Sequence, residues 1–185
     1  QAATLRSGLA TGQQDIRGLF SGGTLCFEAQ VILSGLLERP VRSNAPLEPE
    51  HQLDDSNQSQ GHTLVDLGEE EFTVGRPHPM IDNDLRIRRL HQEASDPTTA
   101  VILLDVVIGY GAHPDPASEL GPAIRQARSA AALAGRKLQV VASVTGTEAD
   151  PQVLSRQVSA LEAAGVVVLG SNAAAARLAG LIVAK

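Results

Sequence analysis

Ser21-Gly22-Gly23-Thr24 stand between an apolar stretch ending at Phe20 and a helical run that opens with Leu25-Cys26-Phe27. Residues of these types at such a junction can hold an anion. Gly22 and Gly23 lack a Cβ, so a bound group can approach the backbone closely. The helix that follows starts with unpaired N–H groups and the positive end of its dipole, and both favour a phosphate or a carboxylate. Ser21 and Thr24 add hydroxyls. An ordinary strand-to-helix turn capped by Ser21 or Thr24 uses the same residues, so the turn alone leaves both readings open.

Two of the five histidines, His78 and His113, lie in Pro- and Gly-rich segments that follow apolar strands. They are the candidate catalytic side chains, because imidazole moves protons near neutral pH. A hydrogen bond that tethers the loop is the other use of each. Arg76, Asp82, Gly109, Tyr110, Gly111 and Asp115 belong to the same two segments and form the candidate rim of the site. Asp66 and Asp105 lie within strands nearby, and Asp105, between Leu104 and Val106, can bond backbone amides. His51, His62 and His91 read as solvent-facing or structural. His113, Asp115 and Asp82 show no metal-ligand spacing, and no metal site is assigned. The single cysteine, Cys26, excludes an internal disulfide and a multi-cysteine metal site. Between Leu25 and Phe27 it reads as a small buried hydrophobe rather than a nucleophile.

A chain of 185 residues suffices for one α/β domain with a real core. A net charge of −6 and the absence of a basic stripe argue against nucleic acid. With no Trp, one Tyr and three Phe, stacking platforms are scarce. No secretory signal or membrane-length apolar run is present, so no membrane partner is expected and the location is expected to be cytoplasmic. The opening Gln1-Ala2-Ala3, without Met, reads as part of a longer polypeptide.

The positioning elements follow from pattern. Strands are expected over 15–20, 62–68, 100–108, 138–144 and 166–169. Helices are expected over 24–38, 80–95, 118–134, 151–164 and 172–183, after a polar lead-in over 1–14. Residues 40–61 carry no hydrophobic period and read as a polar surface loop, and Pro77 and Pro79 keep 69–79 irregular. The stretch 100–108 is apolar on both faces apart from Asp105, as a central parallel strand should be. Strands alternating with helices imply a doubly wound, flavodoxin-like parallel sheet of five strands in order 2-1-3-4-5, helices on both faces. Ligands then collect at the carboxyl ends of the first and third strands, which end in the turns 21–24 and 109–113.

Gly22 to Ala29, Thr73 to Asp82 and Val101 to Pro116 together resemble the FdrA family, relatives of succinyl-CoA synthetase, over nearly the whole chain. The resemblance implies a CoA-ligase-type domain whose Ser21-Gly22-Gly23-Thr24 turn presents N–H groups to a phosphoryl group. It departs from succinyl-CoA synthetase at 144–149, Val-Thr-Gly-Thr-Glu-Ala, where that enzyme carries its phosphorylated histidine. The ATP-grasp and CoA-binding portions are not in this sequence either. The resemblance therefore implies no cofactor for this domain alone, and CoA or an acyl or carbamoyl phosphate for the full protein. Its partners would be other domains of the polypeptide or other subunits. FdrA proteins also resemble a subunit of the oxamate carbamoyltransferase of allantoin catabolism. A scaffold domain without catalysis is the remaining reading.

Overall fold

The computed structural model describes residues 1–184. Its centre is β4 (Thr99–Val107), an apolar run buried along almost all of its length. Alternation along β4 divides the core in two. Val101 and Leu103 face one side, with Ile16, Phe20, Leu64 and Val141. Ile102 and Leu104 face the other, with Leu19, Val65 and Val140. A strand buried on both faces needs neighbours on both edges and helices above and below. β4 has them: β1 (Asp15–Phe20) pairs in parallel on one side and β5 (Gln139–Thr145) on the other. Four helices cover the second face: α3 (Glu70–Thr73), α4 (Asp84–Ser95), α5 (Pro116–Leu133) and α6 (Leu154–Ala163). The first face is covered by α1 (Ala2–Arg6), α2 (Gly23–Ser34) and α7 (Asn172–Val183). A Cβ on Gly180 would stand 3.0 Å from Leu33 Cδ2, so its absence lets α7 pack closely on α2.

The sheet has six parallel strands in the order β2-β3-β1-β4-β5-β6, with β2 at Val41–Ser43, β3 at His62–Asp66 and β6 at Val167–Leu169. This corrects the expected five strands in order 2-1-3-4-5. The added strand, β2, lies inside the segment read as a loop, 40–61. Three residues are too few to show a period. β2 exists through its pairing with β3, Val41 opposite His62 and Ser43 opposite Leu64. Asn44 extends that pairing with its side chain: Oδ1 accepts from Asp66 N at 2.9 Å and Nδ2 donates to Asp66 O at 3.0 Å. The rest of the segment holds a 3-10 turn at Pro49–His51.

Further expectations are corrected: α3 forms within 69–79, expected to stay irregular, because its four residues end before Pro77; α6 starts at Leu154 rather than at 151; and α4 and α2 are shorter than expected. α4 starts at Asp84 rather than near Met80, because Ile81 N and Asp82 N both donate to His78 O and close a turn first. α2 ends at Ser34, capped by Gly35, four residues before the expected end.

Candidate functional site

The winding of the sheet reverses between β1 and β4, and this is where a doubly wound sheet usually opens a ligand crevice. Here the gap is filled from within. The Asp105 carboxylate, on β4, takes the Ser21 N–H at 2.8 Å on Oδ1 and the Ser21 hydroxyl on Oδ2. Arg86, from α4, stands 3.6 Å from Asp105 Oδ1 and donates to the Asp105 and Pro79 carbonyls. Burial pulls its guanidinium below the ordinary value, and Asp105 opposes that shift. Ser21, 1% exposed, is thus an anchor of the turn rather than a free donor.

Beyond this anchor the turn is open. Gly23 and Thr24, the first residues of α2, are exposed, and no side chain caps that end of the helix. They border a cleft of about 450 Å³ on the β3 side, with Cys26, Gln30, Asp66 and Glu69 among its walls. The space around Gly23 is narrow, since a Cβ there would stand 3.0 Å from Asp66 Oδ2. Burial holds the Asp66 carboxyl above its ordinary value; the Gly68 N–H and His78 draw it back, while Glu69 and Asp105 push it further up. Burial likewise pushes the Cys26 thiol far up, which makes it an inert wall rather than a nucleophile.

His78 reaches this turn. A Cβ on Gly68 would lie 2.8 Å from Ser21 O, 2.9 Å from His78 Nε2 and 3.1 Å from Asp66 Oδ1, so these three groups converge over one glycine. His78 Nδ1 accepts from Met80 N at 3.2 Å, which leaves the proton of the neutral ring on Nε2, toward Asp66 and Ser21.

The other candidates are used differently. His113 Nδ1 accepts from Asp115 N at 3.1 Å, and its Nε2 lies 3.2 Å from Glu119 Oε2. Its backbone N–H donates to Met80 O at 2.8 Å, which ties the two rim loops together. His113 is a tether, with both ring nitrogens occupied. Asp115 turns to α6, pairing with Arg156 at 2.7 Å and Gln157 at 2.9 Å. Asp82 accepts from Asp84 N at 2.8 Å at the start of α4. Arg76 lines a separate cavity with Phe72, Leu85 and Arg88. Tyr110 is almost wholly exposed between Gly109 and Gly111, both at positive φ. Among the described residues, no group of three His, Cys, Asp or Glu side chains is placed to hold a metal ion.

After β5 the chain fills its own helix end. Glu148 accepts from Ser155 N and Ser155 Oγ, both at 2.9 Å, and Asp150 accepts from Thr147 N at 2.6 Å. The first turn of α6 therefore already holds a carboxylate. Of residues 21–24, Ser21 alone holds the Asp105 carboxylate, and no side chain caps the first turn of α2.

The CoA-ligase family model matches residues 19–182, most of the chain. The chain belongs to the CoA-ligase family. This CoA-ligase domain is 42% identical over 185 residues to the uncharacterized protein YahF of Escherichia coli strain K12; the match covers 99% of the chain and 35% of YahF, about a third of its length. Among solved structures it is similar to PH0766 from Pyrococcus horikoshii OT3, with a TM-score of 0.57 and 12% identity over 95% of this chain and 36% of that one, a likeness of fold alone.

Several residues that shape the CoA-ligase rim were not singled out from sequence. Gln152, 2% exposed, clasps Gly109 through both its N–H and its carbonyl and also donates to His113 O. Glu119 holds His113, and Arg86 backs Asp105. A glutamine after a proline, or an arginine on a helix rich in arginine, has no pattern that marks it.

Proposed function

We propose that this is the ligase-type domain of an FdrA-like, succinyl-CoA-ligase-like acyl-CoA synthetase that works without a phosphohistidine, and that the start of α2 binds the phosphate of a phosphate or acyl phosphate ligand. The observation that carries the reading is the uncapped first turn of α2, with Gly23 and Thr24 exposed beside a cleft of about 450 Å³. Backbone N–H groups of Gly22, Gly23 and Thr24 are the donors, and Ser21 and Asp105 hold them in place. His78 is the candidate proton carrier and His113 positions its loop. The rim is built on one side only, whereas catalysis by preorganised charge needs donors around the reacting group and exclusion of water. The domain alone therefore has no turnover, and the face bearing 21–24, 76–80 and 109–113 docks against another domain or subunit that completes the site with CoA.

A second reading, a subunit of an oxamate carbamoyltransferase acting on carbamoyl phosphate, is favoured by one observation. The loop after β5 has no histidine, and Glu148 occupies the helix end there. Transfer to or from carbamoyl phosphate needs an anion cradle and no phosphohistidine.

Calorimetric titration with phosphate and acetyl phosphate tests the cradle common to both. Gly23→Val places side-chain atoms where the ligand must approach, and we expect affinity to fall at least about tenfold, about 1.4 kcal/mol. Unchanged affinity in a folded variant rejects the site.

A further inference from the structure

At the other end of the sheet a pocket of about 160 Å³ opens between the ends of α2 and α7. One wall is polar, His62 and Arg39; the other is apolar, from Leu36, Leu37 and Val183. His62 is 3% exposed, and its Nδ1 accepts the N–H of Ile16 at 3.2 Å. A neutral imidazole has one proton, so this hydrogen bond puts it on Nε2. His62 stays neutral in mild acid, its pKa lowered to about 4 by burial and then by Arg39. Nε2 stands 3.0 Å from Arg39 Nη2, a nitrogen that also reaches Gln14 O at 3.0 Å and Asp15 Oδ1 at 2.7 Å. A guanidinium nitrogen donates and cannot accept. The imidazole N–H and the guanidinium are therefore two donors face to face, with no acceptor between them among the described residues.

What would satisfy them is an oxygen acceptor that enters from the pocket. A volume of about 160 Å³ is roughly ten times what a single water needs. The apolar wall has no use for inorganic phosphate, and Glu38 at the mouth with Asp15 behind Arg39 disfavours a dianion. A monoanion with an aliphatic tail uses both walls. We propose that this pocket binds a short aliphatic carboxylate, its oxygens accepting from His62 Nε2–H and the Arg39 guanidinium and its chain lying on Leu36, Leu37 and Val183. The site is independent of the cradle at α2, on the opposite end of the sheet.

Nitrogen-15 NMR of the His62 ring in the unmodified chain tests this, with butyrate as the probe and chloride balancing ionic strength. The free protein should show the Nε2–H tautomer, and butyrate should shift Nε2–H saturably, with acetate weaker than butyrate because it lacks the tail. Arg39→Gln should weaken the butyrate response about tenfold or more. The Nδ1–H tautomer in the free protein would overturn the proposal, since Nε2 would then accept from Arg39 and nothing would be missing. A butyrate response no larger than that to chloride would overturn it equally.

Discussion

The two ends of the sheet handle charge in opposite ways. At the amino end, Arg17 is 2% exposed and surrounded by acids, with Asp96 at 2.7 Å, Asp15 at 3.7 Å and Glu93 at 2.9 Å, the last near enough for an ion pair though not aligned as a hydrogen bond. Glu93 also pairs with Arg89 and bonds Ser59, and Asp15 also takes Arg39. At the carboxyl end, Asp105 is satisfied by Ser21 and Arg86, whereas Asp66 accepts from Gly68 N at 2.8 Å with Glu69 and Asp105 as acidic neighbours, and no side chain caps the first turn of α2. Apart from the His62–Arg39 pair, the amino end spends its polar groups on each other and so ties the strands together. The other leaves the first N–H groups of α2 uncapped, with the Asp66 carboxyl of raised pKa beside them.

Removing a cation from the closed end should do the most damage. Arg17→Met leaves Glu93 and Asp96 without their shared partner, and breaking one side of a buried pair costs about 3–5 kcal/mol. Urea unfolding should register that loss, while Gly23→Val at the open end should move the midpoint little. Equal losses at the two ends would erase the distinction drawn above.

Acid sharpens the comparison further, because the two ends respond with opposite sign. His62 has its folded pKa lowered from 6.5 to about 4. Between those values the unfolded chain binds a proton that the folded chain refuses, so stability present above pH 6.5 is lost as pH falls toward 4, by about 3 kcal/mol. His62→Gln, which keeps an acceptor for Ile16 N–H, should flatten that part of the urea-midpoint profile. A wild-type profile flat between pH 7 and 4.5 would show that His62 carries no such linkage.

The smallest effect belongs to Asp66, whose folded pKa is raised. The folded chain binds the proton more tightly than the unfolded one, so this group adds stability in acid and loses it as pH rises through the folded pKa. Asp66→Asn should therefore raise stability at neutral pH and, by removing a negative charge beside Gly23, tighten sulfate at the α2 turn. Weaker sulfate binding in the variant would mean that Asp66 takes part in holding the ligand.

Much of the scaffold was legible and little of the wiring. β4 and α7 stand out because long apolar runs and helical spacing survive without knowledge of their neighbours, and the Gly-Gly turn stands out because few other residues suit a strand-to-helix junction beside a ligand. β2 did not, since its three residues become a strand only when β3 lies alongside. Ser21 read as a phosphate donor; its attachment to Asp105 depends on β1 and β4 being neighbours, 84 residues apart in sequence. That attachment also moves the open cleft from the β1–β4 gap to the β3 side. His78 and His113 looked alike in sequence and each accepts on Nδ1 the N–H two residues on; Glu119, facing Nε2 of His113, tells them apart.

The outermost strands, β2 and β6, are three residues each. So short an edge offers few free backbone groups to a strand from another chain, which is how native sheets discourage sheet-to-sheet growth and aggregation. Beyond β2 the edge is blunted again, because Gln52 bridges Ser43 and Pro49 follows in the 3-10 turn. Any contact with another chain would then run through helix faces and loop rims, and copies should not add to one another as continuing strands even when crowded.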